Sequence, residues 1–468
     1  MKKFSNALSC AIFLIIFLSV LIACVPSRSQ YIVTPPEQEQ PETPIIESTS
    51  TGRPVYTPGT LVDYTVQSGD NLAYLAWRFG CAKHEILFHN PEIPKDITTL
   101  PQGYAMKMPI YYKPFWGSSY QILPDALFVN GPASIGFDVE IFLSSTPGWF
   151  KNYSAKLDGQ TKTAPQIINY FAQRFSISPR VLLVLIEFQT GALSQPEKPL
   201  NVEAGLLGFR HVQSNFMAQL SHAANALNAA FYDYSNMKLE QFVGKDGLVE
   251  NIDPWQNAAT VAFHVYFSKL LEGDAYQKAI GPDGLARTYM GMFGNPWQNE
   301  EGQIPGSLRQ PEMILPFMEP GVWSFAGVQE SIWASGKTWS SILFAPTGDS
   351  QICSRTNSAT IAVADGIVAR SEFGTVVLDL DGDGDERTGW VVVYTALAND
   401  GRATQDEVLL QGNQLGRANC VADKISNLGL QVARKYNGQW MPATQDALPF
   451  TLSGWTPLDG ELLPNNQP

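Results

Sequence analysis

The spacing of hydrophobic and polar positions changes several times along the chain, and each change predicts a different kind of segment. An apolar run from Ala11 to Ile22 follows Lys2 and Lys3. A positively charged start before a run of this length is typical of an export signal, and the run is short for a membrane span. Residues 24–60 show no apolar period and are rich in Pro, Gln, Glu, Ser and Thr, which predicts an extended tether.

Periodic patterns after the tether predict three folded segments of different class. In the first, a short alternating stretch at residues 64–66 gives way to helical spacing from Leu72 and again near Ile86, and a strand pattern returns from Ala105 to Ile110. In the second, amphipathic helical spacing occupies residues 166–175, 179–188, 215–232 and 256–271. In the third, strand patterns occupy residues 360–369, 374–380, 389–397, 414–417 and 428–433.

These patterns divide the chain into a signal peptide (residues 1–23), a tether (24–60), a small βααβ domain (61–112), a mostly α-helical domain (113–318) and a mostly β domain (319–468). At 468 residues the chain exceeds what one hydrophobic core supports, in agreement with several domains. Its formal net charge of -13 argues against nucleic acid or anionic lipid as the main partner and is compatible with a neutral glycan.

The apolar run closes as Leu21-Ile22-Ala23-Cys24, which resembles a lipoprotein box. The resemblance implies cleavage before Cys24 and a diacylglycerol on its thiol. We therefore expect the mature chain to be anchored by lipid to the extracytoplasmic side of the membrane, in the cell envelope. The alternative is an uncleaved signal anchor in which Cys24 is incidental.

Cysteine usage fits an exported chain, because only Cys81, Cys353 and Cys420 remain after the signal region. An extracytoplasmic compartment permits disulfides. We expect Cys353 to pair with Cys420, and two buried free thiols are the alternative.

The first folded segment carries four short motifs, Tyr64-x-Val66-x-x-Gly69-Asp70-x-Leu72, Ala76-x-x-Phe79, Asn90-Pro91 and Met106-x-Met108-Pro109. Together they resemble the lysin motif (LysM). The resemblance implies a groove between two loops that binds N-acetylglucosamine units of peptidoglycan or chitin. The glycan-binding residues that it implies are Ser68, Gly69, Asp70, Asn71, Leu72, Asn90, Pro91 and Ile93. The alternative for each residue taken singly is a role in turn and cap geometry, which selects the same residue types.

One carboxylate of the helical domain, Glu187, lies near the end of an apolar helical stretch that Gly191 can terminate. Apolar surroundings favour the protonated form of a carboxylic acid, which a general acid needs to protonate a glycosidic oxygen. The arrangement is similar to that of lysozyme-like soluble lytic transglycosylases, which implies glycan cleavage with Glu187 as acid and base. The alternative is a solvent-facing helix end.

The β domain contains four phrases, AVADGIVARS from residue 362, GTVVLDLDGDG from 374, TGWVVVYTALA from 388 and VARKYNGQW from 432. They resemble lysostaphin-like LytM endopeptidases and imply the duplicated-hybrid-motif fold of that family. That family holds one Zn²⁺ with a His, an Asp and the second His of a His-x-His pair, while a further His assists the attacking water.

The zinc site is missing from the positions at which this resemblance places it, which are occupied here by Gln329, Leu343, Gly429, Gln431 and Ala396. No histidine follows His264 in the chain. Amide and apolar side chains do not supply zinc ligands, so we predict no metal and no zinc endopeptidase activity. Inactive domains of this family act as binding or regulatory modules, which implies a cell-wall hydrolase as partner.

Three acidic residues, Asp379, Asp381 and Asp383, have the spacing of the first half of a calcium-binding loop. Trp390 stands where a bidentate Glu would complete that loop. We favour a charged β-hairpin turn over a calcium site and assign no cofactor.

Two hypotheses of function follow. In the first, the protein is a membrane-anchored peptidoglycan-binding lipoprotein with a catalytically inactive peptidase-like domain. In the second, it is a glycan-strand hydrolase or lytic transglycosylase that uses Glu187. We favour the first hypothesis.

Overall fold

The computed structural model describes residues 55–111, 117–157, 159–198, 207, 215–298, 302–318, 323–329, 340–346, 359–418, 429–444, 447–458 and 461–464. The export signal, most of the tether, and Cys24, Cys353 and Cys420 lie outside these residues. The lipid anchor and the disulfide therefore stay predictions. Cys81 is a half-buried free thiol. Within the described ranges, no helix combines the length and hydropathy needed to cross a membrane.

The first folded segment has the predicted strand-helix-helix-strand order. Its elements are β1 (Thr60–Thr65), α1 (Leu72–Phe79), α2 (Lys83–His89) and β2 (Ala105–Ile110). The two strands pair antiparallel, with Tyr64 opposite Met106. Helix α1 begins where the Asn71 side-chain oxygen accepts the Tyr74 N–H (2.9 Å), and it ends at Gly80 with φ 70°. Apolar residues of all four elements form one core.

The middle of the chain is helical, as predicted. Its helices are α3 (Asp125–Phe128), α4 (Val139–Ser145), α5 (Ala164–Phe175), α6 (Pro179–Thr190), α7 (Phe216–Ser235), α8 (Ala258–Leu270), α9 (Gly273–Ile280) and α10 (Leu285–Phe293). Hairpins β3 (Ser154–Leu157) with β4 (Gln160–Thr163), and β5 (Gln241–Val243) with β6 (Val249–Asn251), interrupt them. All four predicted helical stretches are present, within two or three residues at most ends. Helix α6 is central, because every side chain from Val181 to Ile186 is buried.

The C-terminal segment is a β domain, and all its strand pairs are antiparallel. Its strands are β7 (Trp323–Gln329), β8 (Ser341–Pro346), β9 (Ala359–Ile361), β10 (Gly366–Glu372), β11 (Thr375–Asp379), β12 (Trp390–Thr395), β13 (Val408–Leu409), β14 (Gln414–Arg417), β15 (Leu430–Tyr436), β16 (Gln439–Met441), β17 (Trp455–Leu458) and β18 (Glu461–Pro464). The main sheet has the order β13-β10-β11-β12-β15-β8-β7, and β16 pairs with β15. Assignment of this domain to the duplicated-hybrid-motif type stays a prediction.

One predicted strand was wrong. The stretch from residue 360 to 369 was expected to be continuous, but it forms β9 and β10, which lie in different sheets. Strand β9 pairs with β14, whereas β10 pairs with β11 and β13. The chain changes sheets at residues 362–365, where Gln411 N–H bonds to the Asp365 carboxylate (2.7 Å). Alternating apolar residues carry no signal for such a change.

Both faces of the main sheet are covered by packed side chains. Val392, Tyr394 and Val432 face the core of the β domain itself. Val393 and Ala433 belong to the same buried cluster as the helices of the middle domain. Because successive side chains of a strand point to opposite faces, the sheet is packed on both sides. The helical domain therefore covers one face of the C-terminal sheet.

Candidate functional site

The first loop of the predicted glycan groove is organised around the carboxylate of Asp70, which is fully buried. It accepts hydrogen bonds from Arg78 Nη1 (2.8 Å), Tyr64 OH (2.5 Å) and the Gln67 N–H (2.8 Å). Burial raises the pKa of the Asp70 carboxyl, and the Arg78 guanidinium opposes that rise. The side chain thus shapes the loop from within. The backbone of Asp70 is also occupied inside the unit, since its N–H donates to the Gln67 carbonyl (3.2 Å) and its carbonyl accepts the Leu100 N–H (2.8 Å).

The second predicted rim is built in a similar way from Asn90. Its side-chain amide donates to the carbonyl oxygens of Ile86 and Lys107 (2.8 Å each) and its oxygen accepts the Lys107 N–H (2.9 Å). Ile93 is buried in the core of the unit, whereas Pro91 is exposed. The cap and turn roles of Asn71 and Asn90 are therefore present, and their part in glycan binding stays a prediction.

The two loops of the βααβ unit lie side by side. The Leu100 N–H donates to the carbonyl oxygen of Asp70 (2.8 Å), which joins the β1–α1 loop to the long α2–β2 connection. Leu72 and Ile93 both contribute to the core beneath them. The line of contact between Ser68 and Gly69 on one side and residues 98–102 on the other is named the seam. It shares Ser68 and Gly69 with the predicted glycan groove and lies on the same α2–β2 connection as the second predicted rim.

A segment of the chain itself lies along this seam, and we name residues 302–308 the cover segment. Ser68 Oγ accepts the Ile304 N–H (2.8 Å). On the other side, Thr99 Oγ1 donates to the Pro305 carbonyl (2.7 Å) and accepts the Leu308 N–H (2.9 Å). Ser307 N–H donates to the Thr99 carbonyl (2.8 Å). In all four hydrogen bonds the cover segment uses its peptide groups, and the sequence holds no local signal for this docking.

Glu187 has a defined structural task at the end of α6. One carboxylate oxygen accepts the N–H groups of Leu193 (2.8 Å) and Ser194 (3.2 Å), which closes the turn after Gly191. The side chain is half-buried. A cavity of about 530 Å³ is lined by Arg180 and Tyr289 of the helical domain, Asn437 of the β domain and other described residues, and Glu187 is not one of them. These contacts explain Glu187 without catalysis, and its catalytic role stays a prediction.

The positions named for the lost zinc site come together on neighbouring strands. Leu343 of β8 pairs with Gln431 of β15, and Gln431 in turn pairs with Thr395 of β12. Ala396 directly follows Thr395 in the chain, and its backbone lies in the left-handed region with φ 60°. Gln329 lies on β7, opposite Ser341. The sequence resemblance therefore selected positions that the fold makes adjacent.

The residues at these positions do not fit a zinc ion. Leu343 and Gln431 are buried on the sheet face that also carries Ala433, and neither is a usual zinc ligand. Gly429 has φ 147°, and a Cβ there would clash with the carbonyl oxygen of Phe344. A histidine at this position would require the backbone to move. No step of any reaction is assigned to a metal here.

The acidic loop connects β11 to β12 as a hairpin. Carboxylate oxygens of Asp379, Asp381 and Asp383 lie within 4.8 Å of one another. Asp379 also accepts the N–H groups of Gly382 (3.1 Å) and Gly384 (2.8 Å). Burial, with the neighbouring Asp381, raises the pKa of Asp379 to about 6. The loop is held by its own backbone, in agreement with the predicted charged turn.

The helical domain has recognisable relatives. A family model described as "LasA, N-terminal domain" matches residues 121–307. The helical domain is similar to the N-terminal domain of LasA. This match lies within residues 113–318, whose lysozyme-like character stays a prediction.

Two curated proteins named Protease LasA are distant relatives. They come from Pseudomonas aeruginosa strains UCBPP-PA14 and PAO1 and are 27% identical over 179 residues and 28% identical over 182 residues. Each alignment covers 37% of this chain and 38% of the relative, so the chain spans under two-fifths of their length.

A solved structure titled "A Novel M23 Metalloprotease Pseudoalterin from Deep-sea" is 18% identical, with a TM-score of 0.25, over 31% of this chain and 79% of that one. A TM-score this low supports no argument about fold or chemistry.

Proposed function

We propose that this protein is an exported, lipid-anchored protein of the cell envelope that binds peptidoglycan glycan through its βααβ unit. Its C-terminal sheet serves as a non-catalytic binding or regulatory module for a partner such as a cell-wall hydrolase. The anchor rests on the segment Leu21-Ile22-Ala23-Cys24 and the tether that follows it. The helical domain is similar to the N-terminal domain of LasA, and two distant relatives of this chain are named Protease LasA. This similarity supports a relation to that group of proteins.

The observation that carries the proposal is the chemistry of the seam between the two loops. It holds a turn-containing stretch of backbone by hydrogen bonds from Thr99 Oγ1 (2.7 Å) and to Ser68 Oγ (2.8 Å). The acetamido group of N-acetylglucosamine has one N–H donor and one C=O acceptor, as a peptide group has. A seam that binds peptide N–H and C=O groups therefore offers hydrogen-bonding partners of the polarity that an acetamido group needs.

A non-catalytic role of the β domain is supported by the residues at the positions where the resemblance would place a metal site. Leu343 and Gln431 are paired across β8 and β15, and Gly429 has no room for a side chain. These strands would have to carry several nitrogen, oxygen or sulfur ligands for a Zn²⁺ ion to bind. The second hypothesis, glycan cleavage by Glu187, has no comparable observation in its favour.

The proposal is tested by co-sedimentation of the mature chain, carrying Cys24→Ser to remove the lipid site, with insoluble peptidoglycan. Pro91→Arg places a long side chain on the exposed second rim and is expected to weaken binding about tenfold by blocking access. Pro94→Arg is the matched control, since Pro94 is also exposed but lies outside the predicted rim. Equal binding by both variants would contradict the assignment of this groove.

A further inference from the structure

The cover segment, residues 302–308, has contacts on two sides that point to regulation of the glycan groove, and this inference rests on the proposed function. We propose that the cover segment occupies the Ser68 side of the glycan groove as an internal competitor, so that glycan binds only when the segment leaves, and that its departure loosens the C-terminal sheet. The occupant is thus a part of this chain, and the ligand that replaces it is an acetamido-bearing glycan strand.

On the groove side, the cover segment is held by hydrogen bonds to its own peptide groups. The Leu308 carbonyl accepts Thr98 Oγ1 (2.5 Å), and Ile304 N–H donates to Ser68 Oγ (2.8 Å). The approach is close, because a Cβ on Gly306 would lie 3.0 Å from atoms of Pro101. Glycan and cover segment would therefore need the same donors and acceptors, and both cannot use them at once.

The other side of the cover segment holds the β domain. Gln303 and Asn437 exchange two hydrogen bonds, Gln303 Nε2 to the Asn437 carbonyl (2.6 Å) and Asn437 Nδ2 to the Gln303 carbonyl (2.7 Å). Ile304 and Leu308 are buried in one cluster with Trp390 and other residues of the β domain. Just beyond the segment, Trp390 Nε1 donates to the Arg309 carbonyl (3.0 Å). Removal of the segment from the groove would disturb these contacts as well.

A segment tethered on both sides competes as an intramolecular ligand, whose effective concentration is about millimolar or higher. The apparent affinity of the groove for glycan is then reduced by the fraction of molecules in which the segment is away. Linkage works in both directions, so glycan binding must weaken the hold of the segment on the β domain. The proposal therefore predicts both a covered groove in the resting protein and a looser β domain in the glycan complex.

A disulfide lock tests the first part. An ideal Cβ on Gly302 would lie 3.7 Å from Gln102 Cβ, which is within the range of disulfides, about 3.5–4.5 Å. The variant Gln102→Cys/Gly302→Cys, in the mature Cys24→Ser chain, should bind an N-acetylglucosamine hexamer at least about tenfold more weakly when oxidised, and dithiothreitol should restore binding. The parent chain treated with the same reductant controls for the other cysteines.

Weakening the cover segment should act in the opposite direction. Leu308→Ala removes a buried apolar contact of the segment and should raise hexamer affinity roughly tenfold, because the uncovered state becomes more populated. Met313→Ala is the matched control, since Met313 is equally buried on the same stretch but packs in the β-domain core. Hydrogen exchange of β12 with and without hexamer measures the predicted loosening.

The possible failures are distinguishable. If the lock and Leu308→Ala leave hexamer affinity at the parent value while Pro91→Arg still weakens binding, the groove binds glycan and the cover-segment inference is wrong. If the parent, the reduced lock and Leu308→Ala all fail to bind both hexamer and peptidoglycan, the proposed function itself is refuted, and the inference with it.

Discussion

Glu386 joins the β domain to the helical domain through a buried cluster of charges. Its carboxylate accepts hydrogen bonds from Arg370 Nε (2.9 Å), Lys435 Nζ (2.8 Å) and, from helix α5, Gln173 Nε2 (2.8 Å). The side chains of Glu386 and Lys435 are only 9% and 3% exposed. The two cations hold the pKa of Glu386 far below its usual range, against the opposing effect of burial.

Glu386→Gln keeps the shape of the side chain and removes its charge, which leaves the Lys435 ammonium buried without a counter-ion. Breaking a buried pair by removing one partner costs about 3–5 kcal/mol of unfolding free energy. Glu372→Gln is the matched control, because Glu372 also pairs with Arg370 (3.2 Å) but is 42% exposed. Exposed pairs contribute about 0–1 kcal/mol. Urea unfolding of both variants, followed by tryptophan fluorescence, measures the difference.

The dependence of stability on pH gives an independent check. Because the pKa of Glu386 is lowered in the folded state, its contribution is present above the ordinary value of 4.5 and is lost as the pH falls below it. Burial lowers the pKa of Lys435, and Glu386 opposes that shift. In Glu386→Gln the pKa of Lys435 should fall further, because the opposing charge is gone. The ammonium then loses its proton as the pH rises toward 10, and the variant should regain stability. Losses of equal size in both variants, or no recovery at high pH, would refute this account of the cluster.

The remaining predictions concern the groove, the helical domain and the metal position. Asp70→Asn should lower the free energy of unfolding by about 3 kcal/mol in thermal unfolding, because Arg78 stays buried without its partner. Asp63→Asn is the control and should change stability by under about 1 kcal/mol, because the Asp63 side chain, which pairs with Lys107, is 87% exposed. Equal changes in both variants would count against the structural role of Asp70. Peptidoglycan incubated with the mature chain or with Glu187→Gln should release no anhydromuropeptides, and release that disappears in the variant would establish the glycan-cleaving alternative. Metal analysis of the purified protein should find no stoichiometric zinc, because Leu343 and Gln431 are not ligands; one zinc per chain would contradict the inactive-site interpretation.

Much of the local structure could be predicted from the sequence, because it depends on contacts between near neighbours. Strand β2 has the predicted bounds, from Ala105 to Ile110, and β14 has those of residues 414–417. Helix α6 was visible because apolar residues follow a Pro start and precede a Gly end. Two of the positions named by resemblance for a lost zinc site, Leu343 and Gln431, are paired across β8 and β15, and their assignment to such a site stays a prediction.

The side-chain roles in the groove were determined by burial that the sequence does not encode locally. The resemblance placed Asp70 among the glycan-binding residues, with turn geometry as the alternative, and Arg78, Tyr64 and Gln67 all bind its carboxylate from inside the unit. Gly-Asp and Asn-Pro pairs occur both at binding loops and at caps. Only the surroundings of each side chain decide between the two uses.

The sequence by itself determined the order of the segments, the βααβ pattern and the absence of histidine after His264, since each is a property of neighbouring residues or of composition. The tertiary structure alone decided that residues 302–308 lie in the seam and that Glu386 is locked between Lys435 and Arg370. Contacts such as that of Thr99 with Leu308 join residues 209 positions apart. A periodic pattern extends over one helix or strand, so it holds no information about which distant segment will fill a groove.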